Sequence, residues 1–234
     1  MAVELLDGRV LVAGGTIGIP LNSAEIYDPT TGTWSPTGSL SVDHSSACAL
    51  RLQDGKVLLM GGMSGISENT SVAELYDPAT GAWTVTDPMI TAREGFTATM
   101  LMDGRVLVAG GFNPTLKACE IYDPNTGHWS ATGQLTHFRG AHQAVLLPNG
   151  QVLVVGGLGG DSQVGGAPIR VTEVYDQVTG SWRNAGRLLA GRYFASTNLL
   201  PNGQILVAGG LVNEATGVTR RCELGTLVNA PAAP

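Results

Sequence analysis

The residues best placed to do chemistry are a small set of histidines and arginines. His137 and His142 flank Arg139, a His-x4-His spacing that can reach one metal ion. The nearest further candidate ligands, Asp43 and His44, lie far upstream, so the segment supplies no third ligand and no metal site is expected. Arg93, Arg139 and Arg192 recur at one place in a repeat, and His44 stands at the same register. Converging arginines hold carboxylate or phosphate through paired N–H donors. The competing use is structural, because Glu25, Glu74, Glu120, Glu173 and Glu223 also recur once per repeat and can pair with them. The expected ligand-binding set is therefore His44, Arg93, Arg139, His142 and Arg192, with no catalytic residue, metal or cofactor.

Other chemistry finds little support. The chain has no Gly-x-Ser-x-Gly, His-Glu-x-x-His or Cys-x-x-Cys pattern. Residues 156–166, GGLGGDSQVGG, resemble a phosphate loop but lack the Gly-Lys-Ser/Thr ending and a following helix. The tripeptide Asn69-Thr70-Ser71 is a glycosylation sequon, meaningful only in a glycosylating compartment. Net charge is −6 with only two lysines, Lys56 and Lys117, a balance that repels a phosphate backbone and argues against nucleic acid. No apolar run approaches the roughly 20 residues that span a bilayer, so no membrane partner is expected. The opening residues lack the basic start of a secretory signal, and localisation is left open. Cys48, Cys119 and Cys222 are odd in number and are expected to be buried free thiols.

The elements that must position these residues come from a repeat. DGRVLVAGG at 7–15 returns as DGKVLLMGG at 54–62, DGRVLVAGG at 103–111, NGQVLVVGG at 149–157 and NGQILVAGG at 202–210. AEIYDPTTGTW at 24–34 returns at 73–83, 119–129 and 172–182, and a fifth version, CELGTLVNA at 222–230, keeps only the start. Asp-Gly or Asn-Gly between β-rich runs predicts a hairpin with a type I′ turn. It joins strand a to strand b, the apolar VLV run. Gly-Gly ends strand b and permits close approach of neighbouring backbone. Glu-Ile-Tyr opens strand c, Asp-Pro-x-Thr-Gly turns the chain, and tryptophan opens strand d. The repeated tyrosines and tryptophans are expected to pack between units.

Strand polarity then assigns faces. The a–b and c–d turns lie on one side, the b–c and d–a loops on the other. The b–c loops, residues 16–23, 63–72, 112–118, 158–171 and 211–221, carry the length variation, and variable loops on a rigid frame are where binding residues concentrate.

The double glycine after an apolar strand, then Tyr-Asp and a tryptophan about seven residues on, resembles the kelch motif. The wording AEIYDPxTGxW with LLPNGQVLVVGG looks closest to bacterial members and to the galactose oxidase-like branch. The resemblance implies an all-β, kelch-type β-propeller of five four-stranded blades with the last incomplete; the alternative is an open fragment of a six- or seven-bladed propeller. The blades fall at about 1–38, 39–88, 89–134, 135–187 and 188–230 of a single domain, with 231–234 a disordered tail. Kelch propellers serve as scaffolds and adaptors and also frame oxidase-type enzymes. The copper-site tyrosine–histidine set of such oxidases is absent, since every tyrosine except Tyr193 belongs to the repeat. The expected function is a non-catalytic recognition module binding a protein or small-molecule ligand through the b–c and d–a loop face. The alternative is an enzyme with a site at the pore mouth using Arg139, His142, His137 and Arg192. Self-association is expected if the ring is open.

Overall fold

A computed structural model describes residues 1–65, 68–112, 116–160, 166–213, 217–219 and 221–225. Among the described residues every regular element is a strand, and no helix is long and apolar enough to cross a membrane. Sheet I contains β1 (Ala2–Glu4), β2 (Val10–Ala13), β3 (Ala24–Asp28) and β4 (Thr33–Pro36), in that order. Sheet II contains β5 (Cys48–Arg51) and β6 (Val57–Met60), then, after the ribbon β7 (Met63–Ser64) and β8 (Glu68–Asn69), β9 (Ala73–Asp77) and β10 (Ala82–Val85). Sheet III is β11 (Thr97–Met100), β12 (Val106–Ala109), β13 (Cys119–Asp123) and β14 (His128–Ala131).

In the fourth repeat β15 (Phe138–Gly140) precedes β16 (Gln143–Leu146) and β17 (Val152–Val155); β18 (Leu158–Gly160) and β19 (Ala167–Pro168) follow, then β20 (Val171–Asp176) and β21 (Ser181–Arg187). Sheet IV runs β16-β17-β20-β21, and β15, β18 and β19 form a separate small sheet. In the fifth repeat are β22 (Ser196–Leu199), β23 (Ile205–Ala208), the ribbon β24 (Leu211–Asn213) and β25 (Gly217–Val218), and β26 (Cys222–Gly225). Sheet V runs β22-β23-β26, three strands among the described residues.

The strands follow the predicted a–b–c–d plan, but the a–b turn is of another kind. Leu5 N–H donates to the Arg9 carbonyl at 2.8 Å and Gly8 N–H to the Leu5 carbonyl at 3.2 Å, and the same pair joins Leu52 with Lys56 and Leu147 with Gln151. Only the glycine has positive φ, +85° at Gly8. This is a type I turn closed by a glycine bulge, not the expected type I′. The aspartate explains the choice: Asp7 Oδ1 accepts from Arg9 N–H at 3.0 Å, as Asp54 does from Lys56, which holds the residue before glycine right-handed. At the c–d turn Asp28 Oδ1 likewise accepts from Thr30 N–H at 2.7 Å.

The chain divides into two compact units: residues 1–94, 104–106 and 122–130, and residues 95–103, 107–121 and 131–234. Among the described residues, the first holds a core in which Leu5, Leu11 and Ile26 meet Leu40, Val57 and Leu59. The second holds one around Leu107, Ile121, Leu135 and Val152 and another around Leu147, Leu153, Val174 and Ile205. The b strands β6, β12 and β17 are buried at every residue, as a run apolar on both faces requires, while β2 and β23 alternate between buried and half-buried positions. The cysteines form no disulfide. Of the three, Cys119 is buried in β13 as expected, Cys48 in β5 is half-buried, and Cys222 is exposed, because β26 stands at the edge of its sheet among the described residues.

Candidate functional site

The double glycine sets the frame of the site. In the first unit Gly15 N–H donates to the His44 carbonyl and Gly62 N–H to the Arg93 carbonyl, both at 2.8 Å. In the second, Gly111 N–H donates to Arg139 and Gly157 N–H to Arg192, also at 2.8 Å. A Cβ on the first glycine of the pair would meet the same carbonyl, at 2.5 Å for Gly14 and 2.4 Å for Gly110. The backbone of each Arg or His position is therefore pinned against the strand b of the repeat before it, and no side chain fits between.

Each of these side chains then turns back into its own repeat. Arg139 Nη1 donates to the Gly156 carbonyl at 2.9 Å and the Val171 carbonyl at 3.1 Å, and Nη2 donates to Glu173 Oε1 at 2.5 Å. Glu173 takes further bonds from Thr136 N–H at 2.6 Å and His137 N–H at 3.3 Å. The next repeat copies this: Arg192 Nη1 reaches the Gly209 and Arg221 carbonyls at 3.1 and 2.9 Å, and Nη2 donates to Glu223. Glu223 accepts from Leu189 N–H at 2.6 Å and Ala190 N–H at 3.2 Å. One buried ion pair thus ties the end of strand b, the start of strand c and the d–a loop of a single repeat.

In the first unit His44 occupies the arginine's place. Its Nδ1 lies 2.9 Å from the Gly61 carbonyl and its Nε2 3.6 Å from Glu74 Oε1, and Glu74 accepts from Ser41 N–H at 2.9 Å. Arg93 is fully buried and its Nε donates to the Thr91 carbonyl at 3.2 Å. His44, Arg93, Arg139, His142 and Arg192 are all at most 2% exposed.

The charges are tuned by this enclosure. Burial alone would raise the Glu173 carboxyl, but the Arg139 guanidinium and the Thr136 bonds outweigh it and hold the group below its usual range. Glu74 is lowered in the same manner, burial being outweighed by the His44 ring and the Ser41 amide. Burial, with Arg139 beside it, pushes His142 down to about 3, so the ring is neutral at physiological pH. His142 Nε2 is bonded to Thr97 Oγ1 at 3.0 Å. Its Nδ1 and the Nε of Arg139 are buried without a hydrogen-bond partner. His137 is not drawn into a metal cluster with His142, its Nδ1 lying 2.8 Å from Thr136 Oγ1. Among the described residues no three His, Cys, Asp or Glu side chains are grouped to hold a metal ion.

One feature of the site is not evident in the sequence. Two residues after each Arg or His the backbone is left-handed: Ser46 at φ +51°, Gly95 at +61°, Ala141 at +52° and Phe194 at +51°. Within the second unit these residues link in series, Ala141 N–H to the Gly95 carbonyl at 2.7 Å and Phe194 N–H to the Ala141 carbonyl at 3.0 Å. A bulky residue in this region is strained, and Phe194 is also largely exposed with its ring tilted against Tyr193 at 5.4 Å. Only Gly95 carries the residue type that would signal such a conformation.

The loop faces differ as the polarity requires. The a–b and c–d connections are tight turns, whereas the b–c segments hold the extra ribbons β7–β8, β18–β19 and β24–β25. Parts of these loops, 161–165 and 214–216 among them, lie outside the described residues. The expected tail, 231–234, does as well.

Comparison with known proteins follows from this pattern. A family model described as Kelch motif matches residues 1–41, 45–90, 96–135 and 139–189, more than half of the chain. A 71-residue stretch is 37% identical to the F-box/kelch-repeat protein SKIP30 of Arabidopsis thaliana, covering 29% of this chain and 20% of that protein. The chain thus matches about a fifth of that relative's length. A solved structure described as "Structure of YjhT" superposes with a TM-score of 0.78 over 97% of this chain and 81% of that one, at 15% identity, which is a likeness of fold.

Proposed function

Starting from a chain that belongs to the Kelch-motif family and has the kelch-type β-propeller fold, we propose a non-catalytic recognition module that binds a protein or small ligand through its b–c and d–a loop face. The observation that carries this is where the repeats differ. The extra ribbons β7–β8, β18–β19 and β24–β25 all lie in b–c segments, while the opposite side is held to short turns. Loops that vary on a rigid frame are where recognition is usually built.

In this reading His44, Arg93 and Arg192 fix the loop ends from beneath. Among the described residues of the second unit, Arg139 Nε and His142 Nδ1 are, with Gln177 Oε1 and Thr197 Oγ1, the buried polar atoms without a partner, and the first two are the pair this reading offers to a small ligand. The test is to select peptide ligands on the intact protein, then replace residues 158–171 and 211–221 with short Gly-Ser connections. Selected ligands should lose at least tenfold in affinity while the melting transition stays cooperative. Unchanged affinity would overturn the reading.

A further inference from the structure

Sheets II, III and IV each dock on the preceding sheet through one aromatic pair. Tyr76 packs tilted against Trp83, Tyr122 against Trp129 and Tyr175 against Trp182, with ring centroids 5.0–5.1 Å apart. Each tyrosine hydroxyl meets the threonine that directly follows the preceding d strand: Thr37 at 2.8 Å, Thr86 at 3.2 Å and Thr132 at 2.7 Å. Each indole N–H donates to the carbonyl of the next residue, Gly38 at 2.9 Å, Asp87 at 2.8 Å and Gly133 at 3.0 Å.

The fifth repeat breaks the series. Cys222-Glu223-Leu224-Gly225 aligns with Cys119-Glu120-Ile121-Tyr122, so glycine stands where the tyrosine belongs, and no tryptophan follows in the sequence. On the facing strand, Ala185-Gly186 stands where Thr132-Gly133 stands one repeat earlier. At this place, wholly within the second unit, is a cavity of about 470 Å³. Ala185 and Gly186 line one wall, Leu224 and Gly225 the other, and Leu153 and Ile205 contribute apolar surface. The volume falls in the range of roughly 300–1,000 Å³ typical of ligand sites.

We propose that this cavity is a socket for a tryptophan side chain carried on an extended strand of a partner polypeptide. The chain's own sheets are the template, since in sheets I to IV a d strand bearing tryptophan pairs with strand c. In sheet V, β26 has only β23 as a sheet partner among the described residues. Residues 226–234, which follow Gly225, contain no aromatic side chain to fill the place. Indole is favoured over phenol because Ala185 removes the hydroxyl that meets tyrosine elsewhere, while Gly186 repeats the position whose carbonyl accepts the indole N–H. Strand addition supplies affinity through the backbone and the socket supplies selectivity.

The site lies between strands and not on the loop face, so its failure and that of the preceding reading are separable. The probe is a synthetic peptide copying residues 123–134 of this chain, which includes Trp129, titrated calorimetrically into the intact protein. Binding should weaken at least tenfold when the peptide carries Ala in place of Trp129, and free indole should compete. Gly225→Tyr should tighten it at least threefold, because the new ring restores the partner that tryptophan has in sheets I to IV and nothing lies within 4 Å of a Cβ built there. The loop-shortened protein should bind the peptide as the intact protein does. No binding at millimolar peptide, equal binding of the Ala peptide, or equal or weaker binding by a folded Gly225→Tyr protein overturns the proposal.

Discussion

Arg139 Nη2 donates to Glu173 Oε1 at 2.5 Å, and both side chains are wholly enclosed. The pair is supported by four further bonds, from Arg139 to two carbonyls and to Glu173 from two loop amides. A buried pair of this kind costs about as much to desolvate as it returns, so its value lies in fixing which segments meet. Removing one partner strands the other. Glu173→Gln should therefore destabilise by about 3–5 kcal/mol, and the double variant Arg139→Met with Glu173→Leu by clearly less than the sum of its single changes. Urea unfolding of the set measures both, and strict additivity would contradict the coupling.

The acid response should come in two stages. His142 has a folded pKa of about 3, below its unfolded value near 6.5. The unfolded chain therefore binds the proton first, and stability falls as pH drops from about 6.5 toward 3, by up to about 1.4 kcal/mol per pH unit. Glu173 and Glu74 are also depressed, but from 4.5, so their stabilisation is present above that value and is lost only below it. The interval between about 4.5 and 6.5 isolates the histidine. His142→Gln should flatten the melting temperature there relative to the parent, and an unchanged slope would contradict the assignment.

How much was legible in the sequence follows from what each feature depends on. The strand plan was, because VLV, Glu-Ile-Tyr and the Asp-Gly turns are local signals. The close approach at Gly-Gly was too, and so was the placing of His44 at the arginine register. The a–b turn type was not, because Asp-Gly suits two turns and the Asp7 Oδ1 bond to Arg9 N–H decides between them. The pairing of Arg139 with Glu173 was one of two readings open in the sequence, since both recur once per repeat, and packing decides for it by bringing the guanidinium to Glu173 and two carbonyls. The left-handed Ala141 and Phe194 bear no signal, since hydrogen bonds between repeats impose their conformation. The break of the motif at Gly225 was visible too, but the cavity beside it belongs to two sheets together.

Glycine supplies a controlled comparison. Gly8 and Gly110 are both left-handed, at φ +85° and +61°, but nothing lies within 4 Å of a Cβ at Gly8, whereas one at Gly110 would stand 2.4 Å from the Arg139 carbonyl. Gly8→Ala should cost only the conformational penalty of about 1–2 kcal/mol. Gly110→Ala adds forced displacement of the Arg139 backbone and should cost about 1–3 kcal/mol more. Equal losses in thermal unfolding would show that the double glycine serves conformation alone.

The tryptophans divide by whether a sheet receives them. Trp182 donates Nε1–H to the Gly133 carbonyl at 3.0 Å and packs on the core around Val152 and Tyr175. Trp34 packs tilted against Tyr27 as Trp182 does against Tyr175, at 5.0 Å, but is 54% exposed, and among the described residues its N–H meets no protein acceptor. Phenylalanine preserves most of the ring and deletes the donor. Trp182→Phe should therefore lose about 1 kcal/mol, the net worth of one hydrogen bond. In a chain of this length that lowers the melting temperature by about 2–4 °C. Trp34→Phe should stay within about 0.5 kcal/mol of the parent, as an exposed substitution does. Truncation separates them further: Trp182→Ala removes a partly buried indole packed on the core and should cost about 2–4 kcal/mol, while Trp34→Ala loses only half-exposed surface. Matching losses at the two positions in calorimetry would mean that the Tyr–Trp pair stabilises its own sheet and not the docking of one sheet on the next.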